Sequence, residues 1–314
     1  MKVVIPGGTG QVGTVLARAF QADGHEVVVL SRSPSAAPWR TVAWDAETIG
    51  EWVDEIDGAE VVINLAGRSV NCRYTPENRR LIMDSRINSA QVVGEAVQQA
   101  KHPPNVWLQM STATIYAHRF DAANDEHTGI IGGNEPDAPA KWGFSIEVAR
   151  AWEKAQTDSL TPQTRHVQMR TAVVMNPDRG SPFDILMGLV RKGLGGKSGD
   201  GRQFTSWLHD RDLVRAIYWL IGHEELSGAV NLAAPNPLPN AEFMRELRAA
   251  AGVSLGLPAA KWMLALGARL MSSETELILK SRRVIPGRLL ESGFTFDFPE
   301  WPEAAKELVN RWRK

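Results

Sequence analysis

The chain has 314 residues, 43% of them hydrophobic, with 35 Lys and Arg against 36 Asp and Glu for a formal net charge of −1. That length and balance fit one large α/β domain, or a domain with a smaller lobe, and the missing basic excess argues against nucleic acid as a partner. The single cysteine, Cys72, excludes an intramolecular disulfide and a multi-cysteine metal site. No apolar run approaches the roughly eighteen residues that suggest a membrane span, and the chain starts on a strand rather than a leader, so the cytoplasm is the expected compartment.

The run Val3-Val4-Ile5 leads into Pro6-Gly7-Gly8-Thr9-Gly10-Gln11-Val12-Gly13, followed by Val12, Val15, Leu16, Ala19 and Phe20 at helical spacing. A buried strand, a tight glycine turn and a helix are predicted. Gly8-x-Gly10-x-x-Gly13 fits the dinucleotide fingerprint, with a second register in Gly7-x-x-Gly10-x-x-Gly13. The first glycines permit backbone angles closed to other residues, and the middle one lets a pyrophosphate approach. The last lets helix and strand pack closely, and the free amides at the helix start attract phosphate.

Glu26 to Leu30 reads as a second strand, ending in Ser31-Arg32-Ser33-Pro34. An acid at that strand end would bind a ribose 2′-hydroxyl, whereas an arginine suits a 2′-phosphate. Arg32 stands there with no acid beside it, which points to NADP(H) over NAD(H); a solvated arginine is the alternative.

A third strand is predicted over Thr41–Trp44, a short helix over Glu47–Ile56, and a fourth strand from Ala59 into the small-residue turn Leu65-Ala66-Gly67. Thr75-Pro76 opens a long helix to about Ala100. Val106–Met110 is a fifth strand, running into the hydroxyl-rich Ser111-Thr112-Ala113-Thr114-Ile115-Tyr116, where open parallel sheets place ligands. A polar loop fills 117–140, a helix runs from Phe144 to about Ser159, and His166–Val174 is a sixth strand. Helices over Asp212–Gly222, from Asn240, over 258–271 and over 302–313 follow, with a short strand at Ala229–Leu232.

The fold class expected is α/β: a Rossmann-type doubly wound parallel sheet over 1–175, to which some later segments return, with a smaller, mostly helical lobe over 176–314 on the substrate side.

These residues together resemble the short-chain dehydrogenase/reductase superfamily in its extended, epimerase-like form. More narrowly, they resemble the atypical branch labelled "epimerase family protein", whose C-terminal segment is a domain of unknown function. The resemblance covers nearly the whole chain. It rests on the glycine turn, Asn64-Leu65-Ala66-Gly67, Tyr74-Thr75-Pro76 with Asp84-Ser85-Arg86, and the 111–116 segment. Arg170-Thr171-Ala172-Val173-Val174, Gly199-Asp200-Gly201-Arg202-Gln203, Trp207-Leu208-His209, Asn231 to Pro237 and Arg282-Arg283-Val284-Ile285-Pro286 complete it. Pro6 departs from the usual threonine and removes an amide near the turn.

The resemblance implies a cofactor set of Gly7, Thr9, Gly10, Gln11, Val12, Gly13, Ser31, Arg32, Ser33, Leu65, Ala66, Gly67, Arg86 and Ser111, with NADP as cofactor. Active members pair a tyrosine with a lysine four positions later. Four positions after Tyr74, Tyr116 and Tyr218 stand Asn78, Phe120 and Gly222, so that pair is absent; Phe144 and Val148 occupy the expected helix. Thr112 remains as a catalytic candidate that could bond a substrate oxygen, or simply satisfy a strand end. His209 is carried as a proton source, against a buried structural histidine. Arg202 and Gln203 are carried as substrate contacts, against solvated loop side chains. Tyr116 is expected to pack behind the strand.

Gly196-Lys197-Ser198 is no phosphate loop, because Arg191 fills the leading glycine position, and the scattered histidines lack metal-ligand spacing. The function expected is an NADP(H)-binding, epimerase-like oxidoreductase with an unnamed small-molecule substrate and no metal. A catalytically inactive sensor or partner-binding protein is the alternative. Neither nucleic acid nor membrane is expected as a partner, and a homodimer is left open.

Overall fold

The computed structural model describes residues 1–135, 138–259 and 274–314. Its strands in chain order are β1 (Lys2–Pro6), β2 (Glu26–Ser31), β3 (Arg40–Ala43), β4 (Val61–Asn64), β5 (Val106–Thr112), β6 (Arg165–Thr171) and β7 (Val173–Met175). Then come β8 (Phe204–Thr205), β9 (Trp207–His209), β10 (Gly228–Leu232) and β11 (Leu238–Pro239). The helices are α1 (Gln11–Ala22), α2 (Pro76–Gln99), α3 (Gly143–Thr157), α4 (Pro182–Arg191), α5 (Asp210–Gly222), α6 (Asn240–Ala251), α7 (Glu276–Leu279), α8 (Gly287–Glu291) and α9 (Trp301–Trp312).

Seven strands form one parallel sheet in the order β10-β6-β5-β4-β1-β2-β3. The chain winds outward from β1 in one direction and then from β4 in the other. The carboxyl ends of β1 and β4 therefore flank the switch point at which such sheets bind ligands.

Alternation along β1 sends Val3 and Ile5 to one face and Val4 to the other, all fully buried. On the first face they meet Leu16 and Phe20 of α1 and Leu213, Ile217 and Leu220 of α5. On the second they meet Val93 of α2, Trp107 of β5 and Trp152 of α3. Thr75 caps α2, its hydroxyl accepting from the Asn78 amide at 3.2 Å ahead of Pro76 at the first turn. A third core, built on Phe183, Trp207, Phe243, Leu247, Trp301 and Leu308, belongs to the later chain.

The sixth strand breaks at Ala172: β6 stays in the main sheet, while β7 pairs with β9 in a separate ribbon. Residues 210–232 return to the first sheet, α5 covering α1 and β10 extending the edge beside β6. The helix expected over 47–56 is a short 3-10 turn, Glu51–Glu55, because the Asp45 carboxylate ties down the amides of Glu47 and Thr48, each at 2.9 Å. The helix expected over 258–271 falls almost wholly in residues 260–273, outside the described residues; Ala259 forms an isolated bridge with Ser198. Among the described residues, no helix is long and apolar enough to cross a membrane.

Trp301 is fully buried, stacks on Phe243 at 4.0 Å and donates its indole N–H to the Phe243 carbonyl at 2.9 Å. Trp301→Ala should therefore cost about 3–5 kcal/mol, read as a lowered denaturant midpoint in chemical unfolding.

Candidate functional site

The glycine turn divides its work between packing and access. Gly7 has φ +74°, and a Cβ there would stand 2.6 Å from the Ala66 backbone. A Cβ on Gly8 would meet the Ile5 carbonyl at 2.9 Å, and one on Gly13 would meet the Gly8 backbone at 2.4 Å. Gly10 differs, since its Cβ would find a single atom, the Gly7 carbonyl, at 3.9 Å. Gly10 also caps α1 without a side-chain bond, and no acid stands in the first helical turn. The helix start therefore presents unneutralised amides beside an open backbone face, an arrangement suited to a pyrophosphate. Pro6 has no amide, yet its carbonyl accepts from the Leu65 amide at 2.8 Å, tying the two strand ends together.

At the end of β2, Ser31 is buried and its hydroxyl accepts from the Ser33 amide at 3.2 Å. Arg32 is exposed and, among the described residues, forms no hydrogen bond or ion pair. Beyond β4, the Asn64 side chain accepts from the Ala66 amide at 3.1 Å and donates to Gln109 at 3.0 Å, shaping the 65–67 turn. Arg86 lies under that turn, its guanidinium carbon 3.2 Å from where a Gly67 Cβ would sit and 4.8 Å from the Trp152 ring. Burial pushes its pKa down to about 10.

Two clefts open nearby. One, of about 210 Å³, lies between Gln11 and Val12 at the start of α1, Ser111 at the end of β5, and Thr171 to Val174. The Ser111 hydroxyl donates to Glu153 at 2.6 Å, and Glu153 forms a two-pronged bridge with Arg170. Arg170 also donates to the Tyr116 hydroxyl at 3.0 Å, and that hydroxyl donates to Asn231 at 2.9 Å. Tyr116 thus lies behind the strand as expected, with its hydroxyl satisfied.

The other cleft, of about 200 Å³, is lined by Tyr74, Arg79, Lys141, Trp142, Glu274 and Glu276, with Arg73 at its rim. Phe144 packs against Tyr74 and Arg79 of that lining, at 5.1 and 4.8 Å, and is buried with Val148 in an apolar cluster with Ile82, Val70, Cys72, Tyr74 and Met83. The two positions at which the resemblance implies the superfamily's acid–base pair are therefore apolar here. Polar groups from elsewhere gather alongside. Glu274 accepts from the Tyr74 amide at 3.1 Å and bridges Lys141 at 3.2 Å. Glu276 accepts from the Ser145 hydroxyl at 2.7 Å, and Lys280 donates to the Thr114 carbonyl at 2.8 Å.

Of the residues expected in chemistry, Thr112 lies at the end of β5, its hydroxyl accepting from the Thr114 amide at 3.1 Å. The hydroxyl proton stays available to an acceptor. His209 is fully buried: Nδ1 accepts from the Arg211 amide at 3.1 Å, Nε2 lies 3.0 Å from Glu307, and Phe298 stacks on the ring at 3.9 Å. Burial pushes its pKa down, and both nitrogens are spent on capping α5 and holding α9. This geometry gives His209 a structural place rather than a proton donor's. Arg202 is exposed over the Phe120 ring, whereas Gln203 is buried and donates to the carbonyls of Ser198 and Ile278 at 3.0 and 3.3 Å. Gln203 thus steadies α7 instead of facing a ligand.

Sequence reasoning missed Tyr74, Arg79, Lys141, Glu274 and Glu276 as cleft residues, and Lys280 beside Glu276. One signal was readable: Glu276-Leu-Ile-Leu-Lys280 sets an acid and an amine one helical turn apart across three apolar residues. Among the described residues, no group of three or more His, Cys, Asp or Glu is placed to hold a metal ion.

Residues 3–233 match the NAD dependent epimerase/dehydratase family. The chain belongs to that family. Residues 259–308 match a domain of unknown function, which contributes Glu274, Glu276 and Lys280 to this part of the site. The human "Epimerase family protein SDR39U1" is 32% identical, covering 98% of this chain and 100% of the relative. A Staphylococcus saprophyticus relative, "Epimerase family protein SSP1921", is 31% identical over 98% of this chain and 99% of its own length. Among solved structures, human SDR39U1 (isoform 2) with NADPH superposes with a TM-score of 0.85 at 28% identity, covering 99% of both chains.

Gly13→Ala places its methyl carbon against the Gly8 backbone, which cannot rotate away, and should cost about 1–3 kcal/mol in chemical denaturation.

Proposed function

We propose that this protein binds NADP(H) and acts as an epimerase-like oxidoreductase on a small-molecule substrate held in the cleft between Tyr74, Lys141 and Glu276. The support for the dinucleotide is the contrast at the turn, where three glycines are closed by backbone and Gly10 alone is open. Arg32, uncommitted at the end of β2, fits a 2′-phosphate through charge-assisted hydrogen bonds. The human relative crystallised with NADPH supports the same cofactor. Residues 1–175 with 210–232 hold the dinucleotide on this reading, and the rest of 176–314 forms the substrate side.

When bound, the dinucleotide supplies or accepts a hydride. The chain's own tasks are then to orient a substrate oxygen, which the free hydroxyl proton of Thr112 can do, and to keep water off the reacting carbon. The apolar floor at Phe144 and Val148 serves the second task. The same floor favours a second reading, a catalytically silent NADP(H)-binding sensor, because neither side chain can transfer a proton.

Titration of NADPH and NADH into the protein tests the cofactor. NADPH should bind roughly ten- to hundredfold more tightly, the equivalent of about 1.5–3 kcal/mol for a charge-assisted contact, and Arg32→Ala should remove the preference. Gly10→Val should leave a folded protein by circular dichroism and abolish NADPH binding by calorimetry, since its side chain fills the open face. NADPH consumption across aldehydes, ketones and nucleotide sugars separates the readings: turnover supports the oxidoreductase, and binding without turnover supports the sensor.

A further inference from the structure

A buried carboxyl oxygen in the substrate cleft has no partner. Glu276 is 1% exposed and lines the cleft, yet its Oε1 makes no hydrogen bond among the described residues, while Oε2 accepts from Ser145 at 2.7 Å. Two cations stand by this residue: the Lys280 ammonium, 3.9 Å from that same Oε1 and itself 1% exposed, and Arg282, which donates to the Glu276 main-chain carbonyl at 3.3 Å. Ser145 directly follows Phe144, so the carboxyl stands beside the helix turn where the superfamily keeps its tyrosine. A buried carboxylate with one oxygen lacking a hydrogen bond carries a desolvation penalty, which a proton on Oε1 relieves.

We propose that Glu276 is the proton carrier of the cleft, holding a proton on Oε1 toward the substrate oxygen in place of the missing tyrosine, with Lys280 and Ser145 as its positioning residues. The destination of that proton rests on the oxidoreductase reading; its presence on Glu276 does not. In a carbonyl reduction the reduced dinucleotide is the two-electron donor, and its hydride forms the new C–H bond. The Oε1–H bond breaks, the substrate oxygen takes the proton, and Glu276 is left as a carboxylate facing the Lys280 ammonium. Water restores the proton by way of Lys280, and the oxidised dinucleotide and the alcohol leave. The reverse direction uses the same groups in reverse order.

The charges around the pair fit this role. Burial raises Glu276, against Ser145, Arg282 and Lys280, which favour its carboxylate, while Glu274 opposes it. Tyr74 faces Glu276 from the loop before α2, and burial raises its phenol as well. Lys280 is pushed down to about 8, chiefly by burial, with Arg282 adding to the shift and Glu276 and Glu135 opposing it. An amine poised near neutral pH can pass a proton in either direction. The domain of unknown function thereby acquires a chemical task, the delivery of an acid to a helix that has lost its own.

Infrared difference spectroscopy of wild type against Glu276→Gln tests the proton without any substrate. At neutral pH the wild type should show the C=O stretch of one protonated carboxyl that Glu276→Gln lacks. Burial raises Asp212 and Glu126 as well, and any band from them is common to both spectra and cancels. The band should vanish as pH rises, and Lys280→Met, which removes a cation favouring the carboxylate, should move that loss to higher pH. If Glu276→Gln does not fold, Ser145→Ala in its place should move the loss upward too, because it deletes a hydrogen bond to the carboxylate. A wild type whose Glu276 is already ionised at neutral pH, or a band that neither Lys280→Met nor Ser145→Ala shifts, overturns the proposal. In NADPH turnover with the carbonyl panel, Glu276→Gln should lower kcat by on the order of a hundredfold or more with NADPH affinity unchanged, and Glu276→Asp should recover part of it. Unchanged kcat overturns the catalytic step. Failure of NADPH to bind sinks the oxidoreductase reading alone, and the infrared result still decides the proton.

Discussion

The site depends on how closely two stretches of backbone approach at the carboxyl edge of the sheet. The turn after β1 lies against the turn after β4 so tightly that a single carbon on Gly7 would collide with Ala66, and Gly13 brings α1 onto Gly8 in the same way. This contact aims the uncapped start of α1 along the sheet edge. It also leaves one face, at Gly10, free of protein atoms closer than 3.9 Å. The core beneath is ordinary packing of Val, Ile and Leu. What specialises the edge is the absence of side chains where backbone meets backbone.

The second organising device is the C-terminal segment, which straps the loop after β5. Lys280 and Arg282 hold the carbonyl and the hydroxyl of Thr114, Ser281 donates to the Arg119 carbonyl, and the Asn124 amide bonds the Arg283 carbonyl at 2.7 Å. Further on, Ile285 bonds both Asn124 and the Asn231 side chain, so the strap reaches β10 of the main sheet. Ser206 secures the same stretch through the Arg282 and Val284 carbonyls at 2.7 and 3.3 Å. These bonds are mostly to backbone, so the strap's position does not depend on a few exposed side chains. It fixes Glu276 and Lys280 relative to α3 without any covalent link.

The sheet was legible in the sequence because its signals are local. Alternating Val and Ile, glycine turns and Pro or Gly boundaries each report on a few neighbouring residues, and the glycine roles could be assigned from spacing alone. Thr75-Pro76 marked its helix start to the residue. The cleft beside α3 was not legible, because its residues come from three distant stretches: Tyr74 and Arg79, Lys141 and Trp142, and Glu274 and Glu276. Nothing local announces that they meet. His209 and Gln203 each left two readings open for the opposite reason. Polar residues in a recognisable motif read as ligand contacts, whereas here they satisfy buried backbone and helix ends.

The energetics of the Glu276–Lys280 pair bear on why it persists. An ion pair at 3.9 Å here, with one carboxyl oxygen unpartnered among the described residues, would recover little of the cost of leaving water. Apolar side chains of similar volume would serve stability as well or better, and the chain makes just that choice a short distance away, at Phe144 and Val148. Arg170 and Glu153 show what a buried pair built for stability looks like in this fold: two parallel bonds of 2.9 Å, with Tyr116 and Ser111 satisfying the remaining groups. Set against that fully satisfied network, the loose pair at Glu276 retains what a proton carrier needs, an oxygen with no hydrogen-bond partner among the described residues and a neighbour whose charge can change.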